Sequence, residues 1–148
     1  MKTLERFQTF LAQAPFMRDL GVEALALSPG RVSTALTLQP RFLQHTGQAH
    51  AGVMATLVDH SMGSAAQTLA PDEHWVVTAE LKTSVLRPAK GVRLVCEAWV
   101  LKPGRMLSFT EGEVFAEDAQ GVRTLVMKAS ATMAVTGAER YRAPQPES

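Results

Sequence analysis

Hydrophobic residues recur at two distinct periods along the chain, and each period predicts a different element. Near the N-terminus the spacing is helical, which predicts a short amphipathic helix built around Leu4, Phe7, Phe10 and Leu11. Pro15 and Gly21 then indicate a less regular stretch. From residue 31 to residue 39 apolar and polar positions alternate, which predicts a strand whose apolar face carries Val32, Thr34, Leu36 and Leu38.

The second half of the chain repeats the alternating pattern in several runs. The clearest run is 77–85, with Val77, Ala79, Leu81, Thr83 and Val85 on one face and Thr78, Glu80, Lys82 and Ser84 on the other. Turns that contain proline or glycine at 88–91, 103–104 and 118–121 separate further runs near 92–102, 105–117 and 122–136. Short turns between consecutive strands predict an antiparallel meander.

One long segment without proline, from Ala49 to Leu69, lies between the two strand regions and is the only long helix predicted. One helix with five or six antiparallel strands is an α+β arrangement, in which the helix covers the apolar face of the sheet. A chain of 148 residues suits a single domain. We therefore expect one domain over 1–148, with its core near 20–137 and a flexible tail over 138–148.

The two faces of the predicted long helix differ in the size of their side chains. The apolar face, which we expect to dock on the sheet, carries Met54, Leu57, Val58, Met62, Ala65 and Leu69. The opposite face carries Gly52, Ala55, Thr56, Asp59, Gly63 and Ala66. Small residues there indicate that another backbone or a ligand comes close and that the helix is buried all round. Burying a charged carboxylate costs free energy unless hydrogen bonds or opposite charges compensate for it. Asp59 is therefore either a functional group or a structural bridge to a neighbouring turn.

Composition and charge exclude several classes of protein. Hydrophobic residues make up 46% of the chain and the formal net charge is +1, so a globular core is expected and bulk binding of nucleic acid is not. Cys96 is the only cysteine, which excludes an internal disulfide or a multi-cysteine zinc site. The first residues are charged and no run of about 18 apolar residues exists. We therefore expect a soluble cytoplasmic protein that does not enter a membrane.

Other chemical groups near Asp59 give weaker signals. The histidines at 45, 50 and 60 lack the i, i+4 pair of a zinc protease, so no metal is expected. Neither Ser61 nor Ser64 lies in a Gly-x-Ser-x-Gly elbow, which argues against a serine hydrolase. Cys96 is expected to be a small core residue. His60 and His74 are expected to lie on flanks or loops without a role, and Trp75 and Trp99 to serve packing.

Residues 44–52, Gln-His-Thr-Gly-Gln-Ala-His-Ala-Gly, followed by Leu-Val-Asp at 57–59, resemble the signature of PaaI-type thioesterases. These belong to the hotdog-fold superfamily of 4-hydroxybenzoyl-CoA thioesterase-like proteins. In that family an acidic residue follows the histidine by nine positions, as Asp59 follows His50. The segment 80–88, which ends in Leu-Arg-Pro, is similar to a family strand that ends in Arg-Pro. The resemblance covers residues 20–137 and implies a hotdog fold with an acyl-CoA thioesterase activity.

The resemblance also implies roles for individual residues. Asp59 would act as nucleophile or as general base for water, and the Ala51 amide at the start of the helix would polarise the thioester carbonyl. Gly52 would let the acyl group pass close to the backbone, Gln44 would orient water or substrate, and His50 would hold the loop geometry. Ala51 replaces the first glycine of the common Gly-Gly form, which adds a methyl group near the thioester.

Arg87 and Arg93 belong to a cluster of basic residues around two turns that could meet the phosphates of coenzyme A, and a solvated surface is the alternative explanation for each of them. The expected substrate-binding residues are Gly47, Gly63, Ser84, Arg87 and Arg93. Coenzyme A would be part of the substrate, so no separate cofactor and no metal are expected. The active sites would form between the subunits of a homodimer or homotetramer. Two alternatives remain open at this point: a non-catalytic acyl-CoA-binding or sensor module, and a hotdog hydratase or dehydratase.

Overall fold

A computed structural model describes residues 1–137 of the chain. Three helices and six strands follow one another in the order α1 (Leu4–Gln13), α2 (Pro15–Leu20), β1 (Glu23–Ser28), β2 (Arg31–Thr37), α3 (Ala51–Gln67), β3 (His74–Val85), β4 (Arg93–Lys102), β5 (Leu107–Glu117) and β6 (Arg123–Gly137). A short 3-10 turn at Pro40–Phe42 leads towards α3. The predicted flexible tail over 138–148 lies outside the described residues.

All six strands form one antiparallel sheet in the order β1-β2-β4-β5-β6-β3. The predicted meander is correct for β4 to β6, where each strand pairs with the next. It is wrong for β3, which pairs with β6 and therefore lies at the edge of the sheet, away from β4. The connection from β3 to β4 crosses from this edge to the other side of β5 and β6.

The helix α3 lies across one face of the sheet, in contact with β2 to β6, which is the hotdog arrangement that the resemblance implies. Leu57, Val58 and Met62 of α3 are completely buried. Val58 and Met62 can come this close to β5 because residue 112, which they contact, is a glycine. A Cβ atom at Gly112 would lie only 2.6 Å from the Val58 Cγ2 atom. The predicted apolar face is confirmed except at Leu69, which follows the end of α3 and is 42% exposed.

The N-terminal region contains more regular structure than the sequence predicts. Residues 15–20 form the helix α2, and β1 follows it as the outermost strand beside β2. Pro15 occupies the start of α2, where its missing N–H costs nothing. Gly21 ends the helix in the left-handed conformation, with φ 74°. The two residues interpreted as breakers therefore mark the ends of a helix.

No helix within residues 1–137 combines the length and the apolar character needed to cross a membrane.

Candidate active site

The loop before α3 is held by main-chain hydrogen bonds that fix where the helix begins. The Gln44 N–H donates to the Gln48 carbonyl and the Gly47 N–H donates to the Gln44 carbonyl, both at 2.9 Å. Gly47 has φ 83°, a value that favours glycine. The His50 N–H donates to the Phe42 carbonyl at 2.9 Å. The predicted loop residues therefore form a closed turn that places His50 directly before the first turn of α3.

His50 is the N-cap of α3. Its ring Nδ1 accepts a hydrogen bond from the Gly52 N–H at 2.9 Å, so Nδ1 carries no proton in this arrangement and Nε2 does. The hydrogen bond holds the His50 ring against the first turn of α3, and the role that the resemblance implies for His50 stays a prediction. Gly52 is exposed, but its N–H group already donates its hydrogen bond to His50.

The Ala51 N–H, in contrast, meets no acceptor among residues 1–137. Ala51 is the first residue of α3 and is exposed. Amides at a helix start lack intrahelical partners and carry a partial positive charge. Of the two amides that the sequence singles out, Ala51 is thus the one free to bind a substrate oxygen.

Asp59 lies in the middle of α3, half-buried, at the wall of a cavity of about 200 Å³. Its Oδ1 accepts a hydrogen bond of 2.6 Å from the Thr78 hydroxyl of β3. The carboxylate is thus neither fully exposed nor sealed away from open space. One carboxylate oxygen is oriented by Thr78, which leaves Oδ2 for a water molecule or a substrate.

Thr78 was not among the predicted site residues, because strict alternation assigns it to the solvent face with Glu80. The pairing of β3 with β6 shifts between Thr78 and Glu80, and such a bulge reverses the faces of the residues on one side of it. Thr78 consequently pairs with the buried Met133 and points towards α3. The sequence carries no signal for the bulge.

The remaining wall of the cavity includes His60 and Phe10. The His60 Nε2 atom is buried and has no hydrogen-bond partner within the described part of the chain. Burial lowers the pKa of His60 below its usual value, although the Asp59 carboxylate raises it in part. The imidazole is therefore neutral at neutral pH. Its ring stacks on Phe10 of α1, which in turn stacks on Trp75, so the expectation that His60 lies on a flank is wrong.

Gln67 connects the end of α3 to the start of β3 at the far end of this cavity. Its Nε2 donates to the His74 carbonyl at 2.9 Å, and its Oε1 accepts from the Val76 N–H at 3.1 Å. These two bonds fix the position of the strand that carries Thr78. Sequence reasoning did not single out Gln67, since a glutamine near a helix end is common.

The serines and the cysteine near Asp59 have structural roles. The Ser61 hydroxyl donates to the Leu57 carbonyl at 2.7 Å and lies 2.8 Å from the Thr34 hydroxyl, which must then be the donor of that pair. The Ser64 hydroxyl donates to the His60 carbonyl. Burial raises the pKa of Cys96 to about 12, so its thiol is not ionised. None of the three is placed as a nucleophile.

The structure does not bring the predicted substrate-binding residues together within one chain. Gly63 lines the same cavity as Asp59. Ser84 faces the other side of the sheet, in a groove with Lys82 and Lys128. Within one chain, Ser84 and the cavity of Asp59 are therefore not brought together.

The two arginines of the prediction lie at one end of the sheet. Arg87 donates to the Leu125 carbonyl at 2.9 Å, which leaves the rest of its guanidinium free to bind another group. Arg93 forms an ion pair of 2.7 Å with Glu117, which also binds Arg123 at 2.8 Å. Across residues 1–137, no three His, Cys, Asp or Glu side chains are placed to share a metal ion.

Comparisons with known proteins address the family directly. A model of the thioesterase superfamily matches residues 46–123. A thioesterase family protein from Silicibacter pomeroyi is 32% identical, with 87% of this chain and 94% of that chain covered and a TM-score of 0.84. A thioesterase from Haemophilus influenzae, 19% identical, shares the fold over 97% of this chain and 96% of its own, with a TM-score of 0.82. A candidate esterase from Halobacterium salinarum is 28% identical over 70% of this chain and 72% of its own. The chain belongs to the thioesterase superfamily.

Proposed function

We propose that the protein hydrolyses acyl-CoA thioesters with Asp59 as the catalytic carboxylate. Membership of the thioesterase superfamily supports hydrolysis of a thioester in general. The observation that carries the specific proposal is the position of Asp59, half-buried at the wall of a cavity with one oxygen held by Thr78 at 2.6 Å. A carboxylate so placed can hold a water molecule on its second oxygen.

In the proposed reaction, Asp59 takes a proton from that water as the water oxygen attacks the thioester carbonyl carbon. The carbonyl oxygen becomes negatively charged and is stabilised by the Ala51 N–H. Collapse of the tetrahedral intermediate breaks the carbon–sulfur bond and releases the thiolate, which takes the proton from Asp59. In the alternative route Asp59 attacks the carbon itself, which breaks the carbon–sulfur bond and expels the thiolate, and water then hydrolyses the resulting anhydride to regenerate Asp59, release the acid and supply the proton that the thiolate takes up. Both routes require the same carboxylate and the same amide.

These two groups lie too far apart in one chain to act on one carbonyl. An α-helix rises about 1.5 Å per residue, so the Ala51 amide and Asp59 are separated by about 12 Å along the axis of α3. Both must approach the reacting carbonyl to within about 3 Å. We therefore propose that the amide of one subunit and the carboxylate of another form each site.

The chain has a surface suited to such a partner. β3 is twelve residues long and pairs only with β6 among the described strands, so its other edge offers unpaired backbone groups. Every residue from Glu80 to Val85 is exposed. The small-residue stripe of α3, with Ala55, Asp59 and Gly63, is also only half-buried. Pairing of β3 with β3 of a second copy would cover this region and create an isologous dimer.

Coenzyme A is the proposed carrier because basic residues lie near the start of α3. The loop after β3 reaches that point, where the Ala49 N–H donates to the Ala89 carbonyl at 2.9 Å. Arg87 and Lys90 of this loop are both exposed. Guanidinium and ammonium groups bind phosphates well. Phosphates of coenzyme A could thus be held while the thioester reaches the Ala51 amide.

The test is release of free thiol from a panel of acyl-CoAs by the wild type, Asp59→Asn and Asp59→Ala. Asparagine keeps an oxygen that accepts from Thr78 but cannot take a proton, so we expect kcat/KM to fall by roughly 100- to 10,000-fold. Asp72→Asn is the matched control, since Asp72 is exposed and outside the cavity. Equal thermal unfolding of the variants would show that the fold is intact.

Turnover by Asp59→Asn within threefold of the wild type would refute the assignment. Saturable binding of acyl-CoA by the wild type without any turnover would instead support the non-catalytic module. Formation of a hydrated product from an enoyl-CoA, with no thiol released, would support the hydratase alternative.

A further inference from the structure

The cavity beside Asp59 has a wall that comes from outside the family-matched segment. Phe10 belongs to α1, whereas the thioesterase match begins at residue 46. Its ring stacks on His60 with the ring centroids 6.0 Å apart and on Trp75 at 5.9 Å. Phe10 is therefore fixed between α3 and β3, where it closes the cavity on the side of α1.

The other side of Phe10 faces an open depression on the surface along α1. All residues that line this depression belong to 1–13, and they include Arg6, Thr9 and Gln13. Within residues 1–137, Phe10 is the one side chain that lines both this depression and the cavity of Asp59. The phenyl ring thus separates the space that contains the carboxylate from the open surface along α1.

The small space limits what can bind beside the carboxylate. A water molecule occupies about 30 Å³ in the liquid, and an apolar cavity of about 150 Å³ binds benzene. The cavity beside Asp59 is partly open to the surface, and its volume of about 200 Å³ is room for an acyl group of about six or seven non-hydrogen atoms. The neutral imidazole of His60, with Val76 and Gly63, makes this lining largely uncharged.

We propose that the acyl group of the substrate occupies the cavity beside Asp59, and that Phe10 limits it to a short chain or a single ring. This inference rests on the proposed hydrolysis, because the reacting carbonyl must lie next to the carboxylate and its acyl substituent must enter adjacent space. Gly63 sets the opposite wall. A Cβ atom there would meet only the Met133 Cε at 3.9 Å, so alanine fits and narrows the cavity by one methyl group.

The experiment compares acyl-chain profiles of the wild type, Phe10→Ala, Phe10→Leu and Gly63→Ala. Thiol release is measured with acetyl-, butanoyl-, hexanoyl-, benzoyl- and dodecanoyl-CoA. Binding of the non-hydrolysable hexyl- and dodecyl-CoA thioethers is measured by calorimetry. Phe16→Ala is the matched control, because Phe16 lies on α2, is 59% exposed and lines neither the cavity of Asp59 nor the depression along α1. Circular dichroism verifies that each variant is folded, and leucine keeps most of the packing should alanine not fold.

For the wild type we expect kcat/KM to rise to about six acyl carbons, by up to about fourfold per methylene, and to fall at least tenfold at dodecanoyl. Phe10→Ala opens the cavity of Asp59 towards the depression along α1, so the dodecanoyl-to-hexanoyl ratio should rise at least tenfold, both in kcat/KM and in affinity for the thioethers. Phe10→Leu should give a smaller rise. Gly63→Ala should lower the hexanoyl-to-acetyl ratio by about fourfold, the value of one buried methylene.

Failure of this inference is distinguishable from failure of the proposed hydrolysis. Turnover with the same chain-length profile in the wild type and both Phe10 variants would overturn the inference and leave hydrolysis standing. A shifted thioether preference without any thiol release would support the cavity assignment and reject hydrolysis. Absence of both binding and turnover would overturn the two together.

Discussion

Replacing Ala51 with proline removes one backbone N–H and alters little else. Ala51 is the first residue of α3, the position of a helix where proline is well tolerated. The residue before a proline must be extended, and His50 already has φ −63° and ψ 139°. The amide that proline deletes has no acceptor among residues 1–137. The variant therefore isolates the proposed contact between the Ala51 N–H and the thioester oxygen.

The two expected effects of Ala51→Pro have opposite signs. Loss of one donor to a developing oxyanion costs about 100- to 1000-fold in kcat, or about 2.7–4 kcal/mol of transition-state stabilisation. Proline at a compatible position stabilises a fold by about 0.4–1 kcal/mol, which raises Tm by about 1–4 °C for a chain of this size. Thiol release and thermal unfolding measure the two quantities. A variant that keeps its activity within threefold would refute the role of this amide.

Mixing Ala51→Pro with Asp59→Asn tests whether each site spans two subunits. Each variant alone is inactive under the proposal. A mixed dimer combines the intact Asp59 of one subunit with the intact Ala51 of the other, so one of its two sites is complete. After subunit exchange in an equal mixture, about half of the dimers are mixed, and about one quarter of wild-type activity should return. If a single chain held both groups, the mixture would stay as inactive as its components.

Two further predictions concern stability. Gly112→Ala places a methyl group 2.6 Å from the Val58 Cγ2 atom, so it should lower the free energy of chemical unfolding by about 1–3 kcal/mol. Gly63→Ala, whose methyl group has no close contact, is the control and should not destabilise the fold. Equal stabilities of the two variants would contradict the tight approach of α3 to β5. The pKa of Glu117 is lowered from 4.5 by hydrogen bonds from two arginines, so its contribution to stability is present above pH 4.5 and is lost as the pH falls below that value. Glu117→Gln should therefore make unfolding less sensitive to pH below 4.5, and an unchanged acid dependence would exclude this ion cluster as its source.

The central helix was predictable from the sequence because its signals are local. Its apolar face repeats at 3.6 residues, and its start has a histidine that caps the first turn. The order of the strands was not predictable in the same way, since alternation identifies a strand but not its neighbour. β3 therefore contains the predicted run 77–85 and begins three residues earlier, but its place in the sheet is not the predicted one.

The composition of the site was predictable only in part, for a related reason. Asp59 stands out in its own helix as a charge among small residues, so the sequence alone draws attention to it. A bulge in β3 turns Thr78 towards Asp59, and the position of α1 in the domain brings Phe10 to the cavity. Neither depends on a local pattern, because each contact joins segments distant in sequence. Long-range packing decides which side chains surround the carboxylate.

This division also explains how catalysis and substrate choice can be separate within one domain. The proposed catalytic groups lie on α3 and β3, which the sheet and the core hold in place. Phe10 lies on α1, which is anchored by Phe7 and Leu11, respectively 0% and 1% exposed, and by the Gln8 side chain, which accepts a 2.8 Å hydrogen bond from the Ala24 N–H. None of these anchors involves the Phe10 ring. The residue proposed to limit the acyl group can therefore change while α1, Asp59 and Thr78 keep their positions.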